Sequence, residues 1–206
     1  MSSQRIGLIV LAAGALGLLS SCLGLDAELT VRADGSGTVT LDYRLSKMVE
    51  SMGKLDGNER WLPFPIGRAD FERSVEQVPG LTLSSFSQTS DETDVRIKAS
   101  LAFADSAALL GFMDHTGRAA GLTVKDKTTT LSLQLSEGGA LDADLEALVR
   151  AVFEGYEVKL RINTPTPGEA SGPGASSADR TAAFQAPVAD ILAAKAPFVW
   201  QLKWKQ

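Results

Sequence analysis

The sequence predicts an α+β fold: an antiparallel β-sheet built from hairpins, with three to four helices packed on one face. Three observations carry this. Several segments alternate apolar and polar residues, the period of a strand with one buried face. Turns rich in Gly, Asp and Ser join neighbouring strands. Shorter stretches with apolar residues at helical spacing interrupt the strands, as at Leu145, Leu148, Val149 and Val152. Strands with one apolar and one polar face suit an antiparallel sheet covered on a single side.

In chain order, Ala27, Leu29 and Val31 alternate with Glu28, Thr30 and Arg32. Asp34-Gly35-Ser36-Gly37 supplies a tight turn, and Val39, Leu41, Tyr43 and Leu45 answer on the next strand. Ser46 to Lys54 reads as a short helix capped by Ser46. The prolines in Trp61-Leu62-Pro63-Phe64-Pro65-Ile66 forbid a regular helix or central strand there. A helix over Ala69–Val78 follows and ends at Pro79-Gly80. Leu81–Thr89 and Val95–Phe103 form a hairpin around the acidic turn from Ser90 to Asp94.

Asp105 or Ser106 caps a helix carrying Leu109, Phe112 and Met113, with Gly117 as its stop. Leu122–Asp126 and Thr130–Leu135 are a third strand pair or one long bent strand. Asp142–Glu154 is the clearest helix, with Asp142 as cap and Asp144 and Glu146 at the positive end of its dipole. Tyr156–Ile162 is a strand, and the small and turn-forming residues of 164–179 predict a mobile surface loop. Thr181–Gln185, a helical turn over Val188–Ala194, and a strand through Trp200, Leu202 and Trp204 close the chain.

Composition narrows the function classes. The 206 residues include 25 acidic and 20 basic side chains, a formal net charge of -5, so nucleic acid finds no positive footprint. The same balance disfavours electrostatic attachment to anionic lipid. Cys22 is the single cysteine, so neither a disulfide nor a Cys-based metal site exists. The single histidine, His115, excludes His-rich metal sites. Near the end of a helix it reads as a charge-compatible residue at the negative end of the dipole, in preference to a general base. Asp34-Gly35-Ser36-Gly37 fails as a calcium loop, because Val39 and Leu45 stand where Gly and Glu are needed. Asp91, Glu92 and Asp94 read as a solvated hairpin tip. No catalytic residue, cofactor or metal ligand is assigned.

The N-terminal stretch is more specific. Arg5 precedes an apolar run from Ile6 to Leu19. That run has signal-peptide length and falls short of the roughly 20 residues of a spanning helix. Leu19-Ser20-Ser21-Cys22 then resembles the lipobox of bacterial lipoproteins. The resemblance implies cleavage before Cys22, an S-diacylglyceryl group on its thiol and an acyl chain on its new amino group. The expected organisation is a signal peptide over 1–21, a short lipidated tether over 22–26 and one domain over 27–206. An ordinary secretory leader with an inert thiol is the alternative. Leu23, where an Asp would retain many lipoproteins at the inner membrane, implies an outer-membrane address in a two-membrane cell.

The mature region also resembles the LppM-like bacterial lipoproteins. The resemblance rests on the hairpin around Asp34-Gly35-Ser36-Gly37, the strand from Val158 to Pro165, and the closing Trp-containing strand. It implies an α+β domain that binds lipidic or amphipathic ligands. A C-terminal membrane helix is common in that family, and the residues after Trp204 are not expected to form one.

These readings converge on a non-catalytic, membrane-anchored envelope lipoprotein. Its partners would be the membrane, through lipid at Cys22, and an amphipathic ligand or envelope protein. Trp61, Leu62, Phe64 and Ile66 are the candidate contact residues, with burial beneath the sheet as the competing explanation. Trp200 and Trp204 are assigned to the core rather than to a pocket. A structural or assembly subunit of an envelope complex is the alternative function. A hydrolase built on His115 has no readable nucleophile–base set.

Overall fold

The structure, a computed structural model, describes residues 23–47, 65–114 and 119–205. β1 (Leu23–Val31) and β2 (Gly37–Ser46) form the first hairpin. α1 (Arg68–Gln77) leads into the hairpin of β3 (Leu81–Ser90) and β4 (Asp94–Phe103). α2 (Ser106–Met113) precedes β5 (Ala120–Lys125) and β6 (Thr128–Ser136). α3 (Ala143–Val152) is followed by β7 (Glu157–Asn163), β8 (Gly168–Ser171) and β9 (Ala175–Ala178). β10 (Thr181–Pro187), α4 (Val188–Leu192) and β11 (Phe198–Lys205) complete the chain. The helix expected over 46–54 lies outside the described residues beyond Lys47, and Ser46 itself ends β2.

The α+β class holds, with strands predominating. Two sheets replace the single one expected. The larger has the order β3-β4-β2-β1-β7-β10-β9, and the smaller has the order β5-β6-β11-β8. All described pairings are antiparallel except β1 with β7, where Leu25 stands opposite Val158 and Leu29 opposite Ile162. Nothing in strand periodicity marks a parallel partner, because a residue's face is the same in either direction.

The larger sheet buries one face. Val95, Ile97, Ala99, Leu101 and Phe103 of β4 are all at most 3% exposed, beside Val39, Leu41, Tyr43 and Leu45 of β2. Burying each Leu or Ile side chain contributes about 1.5–3 kcal/mol. Over β3 and β4, Phe71 of α1 meets Phe86 at 5.5 Å, and Ala108 and Leu109 of α2 join the same core. Near β10 the smaller sheet supplies the cover: Trp200 stacks on Phe184 at 5.1 Å, and Leu131, Leu133 and Leu202 lie in the same cluster. The helices therefore share with a second sheet the role expected of them alone.

Local chemistry explains the helix starts. Asp70 accepts hydrogen bonds from the Ile66 and Gly67 amides and closes the first turn of α1. Asp105 accepts from Ala108 N at 2.9 Å and Asp142 from Leu145 N at 2.8 Å. The Tyr43 hydroxyl donates to the Pro65 carbonyl, tying the chain before α1 to β2. Burial, with a smaller push from Asp70, raises the Tyr43 phenol well above its ordinary pKa and keeps it a donor.

Two expected segments change. Residues 23–26, assigned to a tether, already belong to β1, because Leu23 through Asp26 pair with Leu45 through Asp42. The expected loop over 164–179 contains β8 and β9, which add to β11 of one sheet and β10 of the other. Pro173 O accepts from Trp200 Nε1 at 2.7 Å, and Thr164 Oγ1 donates to the carbonyls of Thr166 and Arg180. Edge strands need only backbone hydrogen bonds, so Gly, Ala and Ser residues form them without an apolar pattern. Gly174 has φ 67° and sits against the Gln185 carbonyl, where a side chain would collide. The third strand pair is a true hairpin, turning on Asp126 and Lys127 at φ 50° and 59°. That turn lacks the glycine that ordinarily advertises it.

The other face of the large sheet is polar. Asp42 receives Arg96 Nε at 2.8 Å and Nη2 at 2.7 Å, with Lys98 Nζ at 3.1 Å. The Arg96 hydrogen bonds, aided by Lys98 and opposed by partial burial, hold the Asp42 carboxyl below its ordinary range.

Gly37 opens β2 against the Thr30 carbonyl and the Phe103 ring, where a Cβ would collide. Gly37→Ala is expected to destabilise the domain by about 1–3 kcal/mol, read as a lower urea midpoint. Asp42 stays charged to lower pH in the folded state than in the unfolded one. Its contribution is complete above the unfolded value of about 3.9 and is lost as pH falls through the lower folded value. Asp42→Asn should flatten the stability–pH curve in that acid window and leave the slope near neutrality unchanged, measured by urea titrations at stepped pH.

Candidate anchored end of the domain

Strand registers gather several chain segments at one end of the large sheet. β1 starts there at Leu23, the residue after Cys22. β7 starts beside it in parallel, β2 ends there with Leu45 opposite Leu23, and β10 ends there with Pro187 opposite Glu157. Tyr156, 5% exposed, joins these pieces. Its ring lies where a side chain on Gly24 would touch it, at 3.6 Å, and its carbonyl accepts from Val188 N at 2.9 Å. The Arg44 guanidinium sits 5.4 Å from the centre of that ring and 3.4 Å from its hydroxyl. Arg44 Nε also approaches Asp94 at 3.7 Å.

Two helices occupy the same end. α4 leaves β10 directly and buries Val188, Ala189 and Ile191. α3 runs from the end of β6 in the small sheet to the start of β7 in the large one, so it crosses between the sheets. Gly139 N donates to Ala194 O at 2.9 Å, fastening the loop before α3 to the segment after α4. Arg150 of α3 bonds Asp190 of α4 at 2.9 Å and Glu146 at 3.0 Å. Hydrogen bonds to Asp190 and then Glu146 raise the Arg150 pKa further, so this link keeps its charge.

α3 departs from its expected role. Its apolar stripe reads as a core face, yet no residue of the helix is buried. Leu145 is 42% and Leu148 55% exposed, and Leu192 on α4 is 44% exposed. A helix that bridges strand ends has no sheet face beneath it, so its apolar residues find little to cover them. Leu145 and Leu148, with Asp142, Ala143 and Asp144, line an open cavity of about 540 Å³.

Cys22 and three of the four candidate contact residues, Trp61, Leu62 and Phe64, lie outside the described residues, as does His115. Ile66 is 8% exposed and belongs to the core. Trp200 and Trp204 are 1% and 4% exposed, packed as expected. Asp34 accepts from the Ser36 amide and hydroxyl, and Asp91 accepts from the Thr93 and Asp94 amides, so both carboxylates shape turns. Among the described residues, no group of three or more His, Cys, Asp or Glu is placed to hold a metal, and no helix is long and apolar enough to cross a membrane. No family model matches the chain, and no curated protein matches it either.

The exposed leucines were not among the candidates read from sequence. A signal existed in the acidic residues Asp142, Asp144, Glu146 and Glu154 clustered round a short apolar stripe, but that pattern equally describes an ordinary surface helix. Because Arg150 ties α3 to α4 from an exposed position, Arg150→Gln is expected to speed amide exchange across 143–152 while the global unfolding midpoint stays unchanged. Hydrogen-exchange mass spectrometry against urea denaturation separates the two.

Proposed function

We propose that the chain is a non-catalytic lipoprotein of the bacterial cell envelope, held to its membrane by lipid on Cys22 and binding an amphipathic ligand or an envelope protein partner. The observation that carries this is the sequence Leu19-Ser20-Ser21-Cys22 with a positive start and an apolar core of signal-peptide length before it. The start of β1 at Leu23 fits the same reading, since processing before Cys22 would leave the sheet intact and its first strand beside the lipid. Acyl chains on both the thiol and the amino group would give stable attachment, where a single chain gives only marginal binding. The acidic charge requires no anionic lipid for this attachment.

For binding, the reading favours surface contact over an enclosed ligand. The described interior is filled by Trp200, Phe184, Tyr43 and their neighbours, and the cavity beside α3 is open. In a two-membrane cell, Leu23 after the lipidated residue favours the outer membrane.

Intact-mass spectrometry of protein extracted from its native membrane tests the proposal. The expected species begins at Cys22 and carries a diacylglyceryl group with a further acyl chain. Cys22→Ser should leave an unprocessed, non-acylated precursor. A mature chain beginning elsewhere, or one without fatty acid, overturns the proposal.

A further inference from the structure

The exposed leucines of α3 and α4 share an end of the fold with the first residue of β1. The Tyr156 ring lies where a Cβ on Gly24 would touch it, the Tyr156 carbonyl accepts from Val188 N at the head of α4, and Asp190 of α4 bonds Arg150 of α3. Consecutive Cα atoms are about 3.8 Å apart, so no spacer separates Cys22 from the folded sheet. A lipid on Cys22 would bring this end of the domain against the bilayer. α3 crosses from one sheet to the other there, with Leu145 and Leu148 one turn apart on its open side and Leu192 on its neighbour.

We propose that α3 and α4 form a membrane-apposed surface, with Leu145, Leu148 and Leu192 entering the interface of a zwitterionic lipid leaflet. This rests on the lipoprotein reading above, because lipid at Cys22 is what orients the domain. An amphipathic helix lying in the interface plane places its apolar face about 5–10 Å into the headgroup boundary. The charge pattern selects the lipid. Asp142, Asp144, Glu146 and Glu154 surround the stripe, and the one basic residue of the helix, Arg150, is engaged by Glu146 and Asp190. An anionic surface would repel this rim, whereas phosphatidylethanolamine or phosphatidylcholine would not. The surface would hold the domain in one orientation and leave the edges and opposite end of the sheets free.

Site-specific spin labels on the full lipidated protein test this. Cys22 is the only native cysteine and its thiol is consumed by lipidation, so Leu148→Cys gives a single labelling site. Leu192→Cys supplies a second. Val124→Cys is the reference: Val124 is 54% exposed and lies toward the other end of the small sheet, opposite Thr129 and near the hairpin turn. In phosphatidylcholine vesicles, labels at 148 and 192 are expected to collide with oxygen several times more often, relative to a water-soluble nickel chelate, than the label at 124. Adding phosphatidylglycerol should lower that ratio. Intact mass of the same sample is read first. If Cys22 carries lipid and the labels at 148 and 192 match 124, the surface proposal falls and the lipoprotein reading stands. If Cys22 carries no lipid, both fall. Labels that stay in water in vesicles but become shielded from both quenchers in native membranes would identify a protein as the occupant and overturn the proposal.

Discussion

β1 is hydrogen-bonded along both edges, antiparallel to β2 and parallel to β7, and the large sheet depends on it. On one side stand the early hairpins, β2 with β4 and β3. On the other stand the late strands, β7 with β10 and β9. Segments distant in sequence meet only because this strand offers a full row of amides and carbonyls to each. Its buried residues, Ala27, Leu29 and Val31, sit between the two halves of the core. An unpaired central strand would leave those backbone groups desolvated without partners, so the native sheet needs both halves paired to it.

That arrangement has a consequence at the sheet's end. The parallel pairing places the starts of β1 and β7 side by side, and a parallel partner must be reached by a long crossover. The crossover here includes the early hairpins, the small sheet's first two strands and α3. α3 is the last piece of it and is left spanning the strand ends. Its stripe of Leu145 and Leu148 is thus exposed for a topological reason, not through poor amphipathicity. Arg150 holds the helix in place by charge and hydrogen bonding where apolar packing is thin.

The segment 164–179 shows the opposite behaviour. It has no hydrophobic period, yet it stitches the sheets together through β8, β9 and the Trp200–Pro173 hydrogen bond. Small residues suit this position because the backbone itself is the contacting surface. The domain thus keeps one apolar helix stripe open and turns a polar segment into structure. In both cases position in the topology outweighs side-chain pattern.

The sequence alone determined the alternating strands, the Asp142 helix cap, the Asp34 and Asp91 turns and the burial of Trp200 and Trp204, because each depends on neighbours within a few residues or on a simple two-fold period. For the helix after β4 it narrowed the cap to Asp105 or Ser106, and the structure chose Asp105. It also contains Leu19-Ser20-Ser21-Cys22 after an apolar run, the linear pattern on which the proposed processing rests, and such a pattern requires no fold. Only the tertiary structure decided that β1 and β7 run parallel, that two sheets share the core, that 164–179 supplies edge strands, and that Leu145 and Leu148 face outward. Those features rest on backbone pairing between distant segments and on what lies above a given face. Hydrogen-bonding groups of the main chain are the same at every residue, so a sequence of side chains carries no record of which strand will meet them.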